Sequence, residues 1–329
     1  MKSRLPEAIW YEGHPLSLVL LPLSWLYRVV VGLRRLAYRR GWLKSHRLSL
    51  PVIVAGNLTV GGTGKTPLVL WLTAFLRRQG HRPGILTRGY GGKGTQWPCL
   101  VTADSDPFDV GDEPVLLARR SGCPVVAGPD RVAAGEMLVR TGGCDMIVTD
   151  DGLQHYRLER DLEILVVDAS RGFGNGHCLP AGPLREPAAR ARGVDLTLCN
   201  GEPCPGGQVM ALVPGRLVNL ADREISRDLS ELRRQRVTAV AGIGNPERFF
   251  ALLRRYGLHL DEHPYPDHHG FSREDAGSWP PGPVIMTEKD AVKCEAFARR
   301  DYWYLPVEAR LDEAFEGLLL DKLKGIGDG

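Results

Sequence analysis

Residues 51–67 read PVIVAGNLTVGGTGKTP, and they hold the types from which a phosphate-gripping turn is made. Gly61, Gly62 and Gly64 let successive backbone amides face one anion. Lys65 is long enough for the outer phosphates of a nucleoside triphosphate, and Thr66 offers a hydroxyl to Mg²⁺. The first glycine of the usual G-x-x-x-x-G-K-[ST] spacing falls on Thr59. The expected cradle is therefore Thr59, Val60, Gly61, Gly62, Thr63, Gly64, Lys65 and Thr66. The competing reading is an ordinary glycine-rich turn. Against it stand the Lys-Thr pair, the apolar run Val52 to Ala55 before the turn and the helical apolar spacing of Leu68 to Leu76 after it.

Carboxylates recur where such a loop needs them. Met146 to Thr149 is an apolar run that leads straight into Asp150-Asp151. Mg²⁺ takes hard oxygen donors, so Asp150 or Asp151 is expected beside Thr66 as a metal ligand, with Asp168 at the end of Glu163 to Asp168 a weaker competitor. Asp112 and Glu113 open the helical run Pro114 to Arg120. Acids in a first turn ordinarily complement the helix dipole, and the alternative is chemistry on a hydroxyl. Arg88, in RGYGG, and Arg185, in LPAGPLREP, are either surface arginines or contacts to phosphate or substrate. In the second half, chemistry concentrates in Asp267-His268-His269 and in TEKD at 287–290. The histidine pair shows no third metal ligand nearby.

Strand and helix patterns alternate along the chain, which predicts an α/β fold: a doubly wound, mostly parallel sheet with ligands at the carboxyl ends of its strands. With 329 residues, 43% hydrophobic and 25% charged, two domains are expected and disorder is not. The divisions are an amino-terminal segment 1–44, a phosphate-loop domain 45–206, a hairpin linker 207–222 (VMALV and RLVNL around Pro214-Gly215) and a smaller α/β unit 223–329. The last helix of that unit is a candidate to return to the first domain.

The net charge of +3 hides an asymmetry: between Glu12 and Asp104 there is no acid, but thirteen Lys and Arg. Anionic partners suit such a field. Pro22 and Arg28 interrupt the apolar stretch His14 to Leu33. Leu23, Leu26, Val30, Leu33 and Ala37 share one helical face, and Arg28, Arg35 and Arg39 the opposite one. With Trp25, Tyr27, Tyr38 and Trp42, this reads as a helix lying in a membrane interface, ahead of a core-packed amphipathic helix or a single span. Seven scattered cysteines without a C-x-x-C pair argue against a zinc site or disulfides and fit a reducing cytoplasm.

Taken in order, GNLTVGGTGKTP, RGYGG, VGDEP, AGPDR, DDGLQH, LPAGPLREP, GIGNPERF, DHHGF and TEKD resemble the tetraacyldisaccharide 4′-kinase family over most of the chain. That family also carries Thr or Ser at the position of Thr59. The resemblance implies a P-loop kinase using ATP and Mg²⁺ to phosphorylate the 4′-hydroxyl of a tetraacylated glucosamine disaccharide 1-phosphate, giving lipid IVA. It implies a peripheral, monomeric enzyme on the cytoplasmic face of the inner membrane, with Asp112 as base and His268 or His269 as its helper. A nucleotide-operated switch or metal-delivery ATPase/GTPase is the alternative, but N-K-x-D, C-x-C and C-x-x-C are absent. Nucleic-acid binding is not expected, because the basic third contains no recognisable binding module.

Overall fold

The computed structural model describes residues 4–327, so residues 1–3 and 328–329 of the expected end segments lie outside the described residues. Two sheets organise them. The larger takes β1 (Val52–Gly56), β2 (Pro83–Thr87), β3 (Cys99–Val101), β4 (Val125–Ala127), β5 (Met146–Asp150), β6 (Leu162–Asp168), β7 (Leu196–Asn200) and β8 (Gln208–Pro214). The smaller takes β9 (Leu217–Asn219), β10 (Ser226–Arg227), β11 (Arg236–Ala241), β12 (His259–Pro264), β13 (Val284–Thr287) and β14 (Tyr302–Leu305). A last strand, β15 (Val307–Arg310), returns to the larger sheet, giving the order β15-β8-β7-β6-β1-β5-β2-β4-β3. Only β3 and β15 run antiparallel to their neighbours there. The expected parallel α/β sheet is the one found.

The helices are α1 (Arg4–Tyr11), α2 (Leu16–Arg39), α3 (Lys65–Arg78), α4 (Pro107–Val110), α5 (Asp112–Ser121), α6 (Arg131–Thr141), α7 (Pro246–Arg255), α8 (Arg273–Gly277), α9 (Glu288–Cys294) and α10 (Glu313–Gly327). Strands β1, β5 and β6 are buried along their whole length, which is why they read as unbroken apolar runs and not as alternation. α3 buries Leu68, Leu72, Phe75 and Leu76 on one face of the sheet, and α10 joins that core through Phe315, Leu319 and Leu323. The second lobe has its own core around Phe249, Phe250, Leu253, Ile285 and Trp303.

Two expectations are corrected. The segments around Pro214-Gly215 do not form a hairpin: β8 pairs with β7 and β15, whereas β9 pairs with β10 and β14 in the other sheet. Pro214 ends β8, and β9 begins only after Gly215 and Arg216, so the chain changes sheets where a hairpin would have folded back. Cys199 and Cys204 are joined by a disulfide, although no spacing rule picks them out.

Helix α2 meets the body on a narrow stripe. Ser24 is buried, its hydroxyl donating to the Cys178 carbonyl at 2.7 Å, and Tyr27 OH donates to the Arg185 carbonyl at 3.1 Å. Leu18, Val19, Leu23, Trp25, Leu26, Val29, Val30 and Leu33 are left exposed. Core packing therefore does not account for its apolar face.

Candidate functional site

The site forms where the carboxyl ends of β1, β2 and β5 face those of β11, β12 and β13. Ligand sites of open parallel sheets lie in such crevices. After β1 the chain turns through residues 57–64 and enters α3 at Lys65. The turn is braced from outside by the proline-rich loop: Val60 donates to the Pro183 carbonyl at 2.9 Å, Arg185 donates to the Leu58 carbonyl at 2.7 Å, and Thr59 forms a bridge with Leu184. Thr59 therefore stands in extended backbone, where a glycine has no advantage. Gly64, by contrast, has φ +94°, and a Cβ there would lie 2.5 Å from Asn200 Nδ2.

Lys65 Nζ donates to Asn57 Oδ1 at 3.1 Å and lies 3.7 Å from Asp151 Oδ1. Arg185 grips Asp151 with both nitrogens, at 2.8 and 2.9 Å, and also bonds the Asn57 side chain. Burial would raise the Asp151 carboxyl, but Lys65 and Arg185 hold it well below the usual carboxylate range. Its neighbour differs. Asp150 is 2% exposed, Oδ1 has no hydrogen-bond partner, and burial together with the Glu113 charge pushes it up to about 7. An orphaned, buried oxygen at the end of β5 fits a hard cation. Asp151 is already committed to two cations, and so is the poorer donor of the expected pair. Among the described residues no three His, Cys, Asp or Glu side chains gather as a cage. Mg²⁺, which retains waters and takes phosphate oxygens, needs none.

The second half of the site is built around Asp112, 3% exposed at the start of α5. Oδ1 accepts from the Glu113 amide at 2.8 Å and lies 3.0 Å from His268 Nδ1, while Oδ2 is 3.0 Å from Lys293 Nζ. Lys289 Nζ sits 3.1 Å from Glu113, 3.4 Å from Asp267 and 4.0 Å from Asp112. Burial opposes ionisation of Asp112, yet Lys289, His268 and Lys293 hold it well below the carboxylate range. Lys289, which burial alone would lower, is held up by Glu113, Asp112 and Asp267. The charges of both Glu113 and Lys65 bear on the Asp150 carboxyl, the first raising it and the second lowering it.

Local sequence explains the convergence. Thr287 caps α9 by accepting from the Asp290 amide, and Lys289 and Lys293 follow four residues apart on one face. Asp290 turns inward to the Gly242 amide at 2.9 Å and the Thr287 hydroxyl at 2.6 Å. Asp151 and His268 hold left-handed backbone, φ 56° and 58°, a strained state that persists where surrounding contacts over-determine it.

Of the two candidate histidines, only His268 reaches Asp112. His269 bonds Asp275 at 3.2 Å and stacks on Tyr265, because the turn after β12 points consecutive side chains apart. Arg88 is exposed at the end of β2 and, with Tyr27, Arg34, Gln154, His155 and Arg185, lines a cavity of about 190 Å³ beside α2. Asp168 is engaged by Ser170 and Arg248, away from the metal candidates. Sequence reasoning missed Asn57 and Lys293 and left Lys289 without a role. The signal for the lysines was the four-residue spacing after a capping threonine.

The family profile described as Tetraacyldisaccharide-1-P 4′-kinase matches residues 16–324. The chain belongs to that family. Relatives called tetraacyldisaccharide 4′-kinase include proteins of Nitrosococcus oceani, 53% identical over 98% of this chain and 95% of that protein, and of Methylobacillus flagellatus, 50% identical over 98% and 96%. Among solved structures, the crystal structure of the "apo" form of LpxK from Aquifex aeolicus in complex with ATP is similar with a TM-score of 0.77. Its identity is 29%, covering 93% of this chain and 99% of that one. The match runs from the start of α2 into α10, so it covers residues of both lobes.

Proposed function

We propose that this protein transfers the γ-phosphate of ATP to the 4′-hydroxyl of a tetraacylated glucosamine disaccharide 1-phosphate, producing lipid IVA and ADP in lipid A biosynthesis. The observation that carries the mechanism is the close approach of the Lys65 turn to the lobe that brings His268 to Asp112: a Cβ on Gly244 would lie 2.8 Å from the Gly62 amide and 3.3 Å from Asp267 Oδ2.

The loop amides and Lys65 hold the triphosphate, and Asn57 positions the ammonium. Thr66 and Asp150 would hold Mg²⁺, which neutralises phosphate charge when bound. As the sugar oxygen bonds to the γ-phosphorus, the bond from that phosphorus to the bridging oxygen of ADP breaks, and the hydroxyl proton passes to Asp112. A carboxylate held this low is a weak base. That suits a loose transition state, in which the hydroxyl keeps its proton until the new O–P bond makes it strongly acidic. His268 fixes the carboxylate, and Lys289 and Lys293 keep it ionised. Closure of the second lobe excludes water from the γ-phosphate.

The exposed apolar face of α2 lies in the cytoplasmic leaflet of the inner membrane, where the acylated substrate resides. Arg34 and Arg88, on the wall of the 190 Å³ cavity beside α2, face its anionic headgroup. Residues 4–44 thus serve as anchor, 45–214 together with the returning β15 and α10 (307–327) as nucleotide domain, and 217–305 as closing lobe. Incubation with γ-labelled ATP, Mg²⁺ and the detergent-dispersed acylated disaccharide 1-phosphate should yield a labelled lipid on chromatography. Label appearing only as inorganic phosphate would reject the reading.

A further inference from the structure

The second lobe also touches the phosphate loop at a point that the transfer chemistry does not use. Arg248 stands in the first turn of α7, its amide donating to the capping side chain of Asn245 at 3.4 Å. Its guanidinium leaves its own lobe and ends on the carboxyl ends of β6 and β7. Nη2 donates to Asn200 Oδ1 at 2.6 Å, and Nη1 lies 3.4 Å from Asp168 Oδ2. Asn200 and Asp168 are 1% and 3% exposed. The other end of the Asn200 amide is committed to the loop, Nδ2 donating to the Thr63 carbonyl at 2.7 Å. Thr63 precedes Gly64, whose left-handed backbone brings the chain so close that a Cβ would clash with that same Nδ2. Nearby, Gly244 of the second lobe leaves room for the Gly62 amide, which would lie 2.8 Å from a Cβ there.

An amide side chain has one accepting and one donating end, and a guanidinium only donates. Arg248 therefore fixes Oδ1 outward and turns Nδ2 toward Thr63. Without it, the buried amide can rotate and the Thr63–Gly64 turn loses its tether. We propose that Arg248 is a positioning residue for the phosphate loop: acting through Asn200, it holds the Thr63–Gly64 turn in its anion-accepting shape when the second lobe is docked, and so couples nucleotide affinity to lobe closure. This rests on the reading of the loop as a triphosphate site. Coupling of this kind is reciprocal, so nucleotide on the loop favours the docked lobe by the same factor.

The test uses the full chain and measures ATP affinity by calorimetry alongside steady-state kinetics. Arg248→Met should raise the Kd and KM for ATP about tenfold, the loss of one charge-assisted hydrogen bond, with kcat changed less than about threefold. Arg248→Lys keeps a charge near Asp168 but lacks the fork that reaches Asn200, and should be as impaired as Arg248→Met. Asn200→Ala combined with Arg248→Met should bind ATP no more weakly than Asn200→Ala alone. Arg248 is one-third exposed, so its loss is compatible with folding. If the methionine variant is unstable, Arg248→Lys and the Asn200→Ala/Arg248→Lys pair carry the comparison. Rescue by lysine, additive effects in the double variant, or an unchanged Kd for ATP would overturn the coupling. Lys65→Ala separates the two claims. If it binds ATP normally, the triphosphate site itself is wrong; if it loses ATP while Arg248→Met does not, only the coupling fails.

Discussion

His268 Nδ1 lies 3.0 Å from Asp112 Oδ1, a contact that joins residues 156 apart in the chain and belonging to different lobes. Lys289 and Lys293 approach the same carboxylate from the second lobe, so the proton acceptor sits on one lobe and the cations that hold it ionised sit on the other. Chemistry and closure are thereby linked: a gaping cleft leaves Asp112 without its imidazole and both lysines.

Asp112→Asn keeps the size and the acceptor for the Glu113 amide but removes the proton acceptor. A loss in kcat of about 10²–10⁴ is expected, with the Kd for ATP little changed. A variant affected only in KM would reassign Asp112 to binding. Stability should also respond. The folded carboxyl titrates below its unfolded value, so its contribution is fully present above about pH 4 and is lost as pH falls further. In urea melts the parent should therefore lose its advantage over Asp112→Asn on acidification.

The two neighbouring histidines should separate cleanly. His268→Ala removes the partner of Asp112 and is expected to lower kcat by about one to two orders of magnitude. His269→Ala loses a bond to Asp275 and a stack on Tyr265, and should cost stability, about 1 kcal/mol, more than rate. Equal kcat losses in both variants would count against the assignment.

The exposed stripe of α2 predicts a membrane phenotype without a folding one. Leu26 and Val30 are 62% and 56% exposed, so Leu26→Glu with Val30→Glu should leave thermal melting nearly unchanged. The same pair places two carboxylates among lipid headgroups. Co-sedimentation with phosphatidylglycerol vesicles should fall sharply, and unchanged pelleting would show that another surface holds the membrane.

Much of this architecture is legible locally. Buried parallel strands such as β1, β5 and β6 announce themselves as apolar runs, and the turn before Lys65 announces itself by glycine spacing. What stays hidden is tertiary. Nothing between Asp112 and His268 specifies their meeting, and His269 has the same credentials until the turn after β12 aims it at Asp275. Asn57 escapes because one amide following a strand is commonplace until Lys65 and Arg185 converge on it. The hairpin expected around Pro214-Gly215 fails for the same reason: two short apolar runs across a proline-glycine pair satisfy hairpin chemistry, but each finds a better partner in a different sheet.

Asp150 yields the sharpest prediction about pH. Burial and the Glu113 charge lift its folded value to about 7, above the ordinary carboxylate value, so ionising it costs the folded state more than the unfolded one. Below about pH 4 the group is protonated in both states and the cost vanishes. Between there and pH 7 the unfolded chain releases the proton first, and stability falls as pH rises. In metal-free buffer, Asp150→Asn should therefore melt above the parent at pH 8 and level with it near pH 4. Added Mg²⁺ should narrow or reverse the gap at pH 8, because the ion stabilises the parent carboxylate by mass action and has less to bind in the amide. A metal-free parent whose melting temperature is flat from pH 4 to pH 8 relative to Asp150→Asn would mean that Asp150 is not the strained, cation-seeking acid of this site.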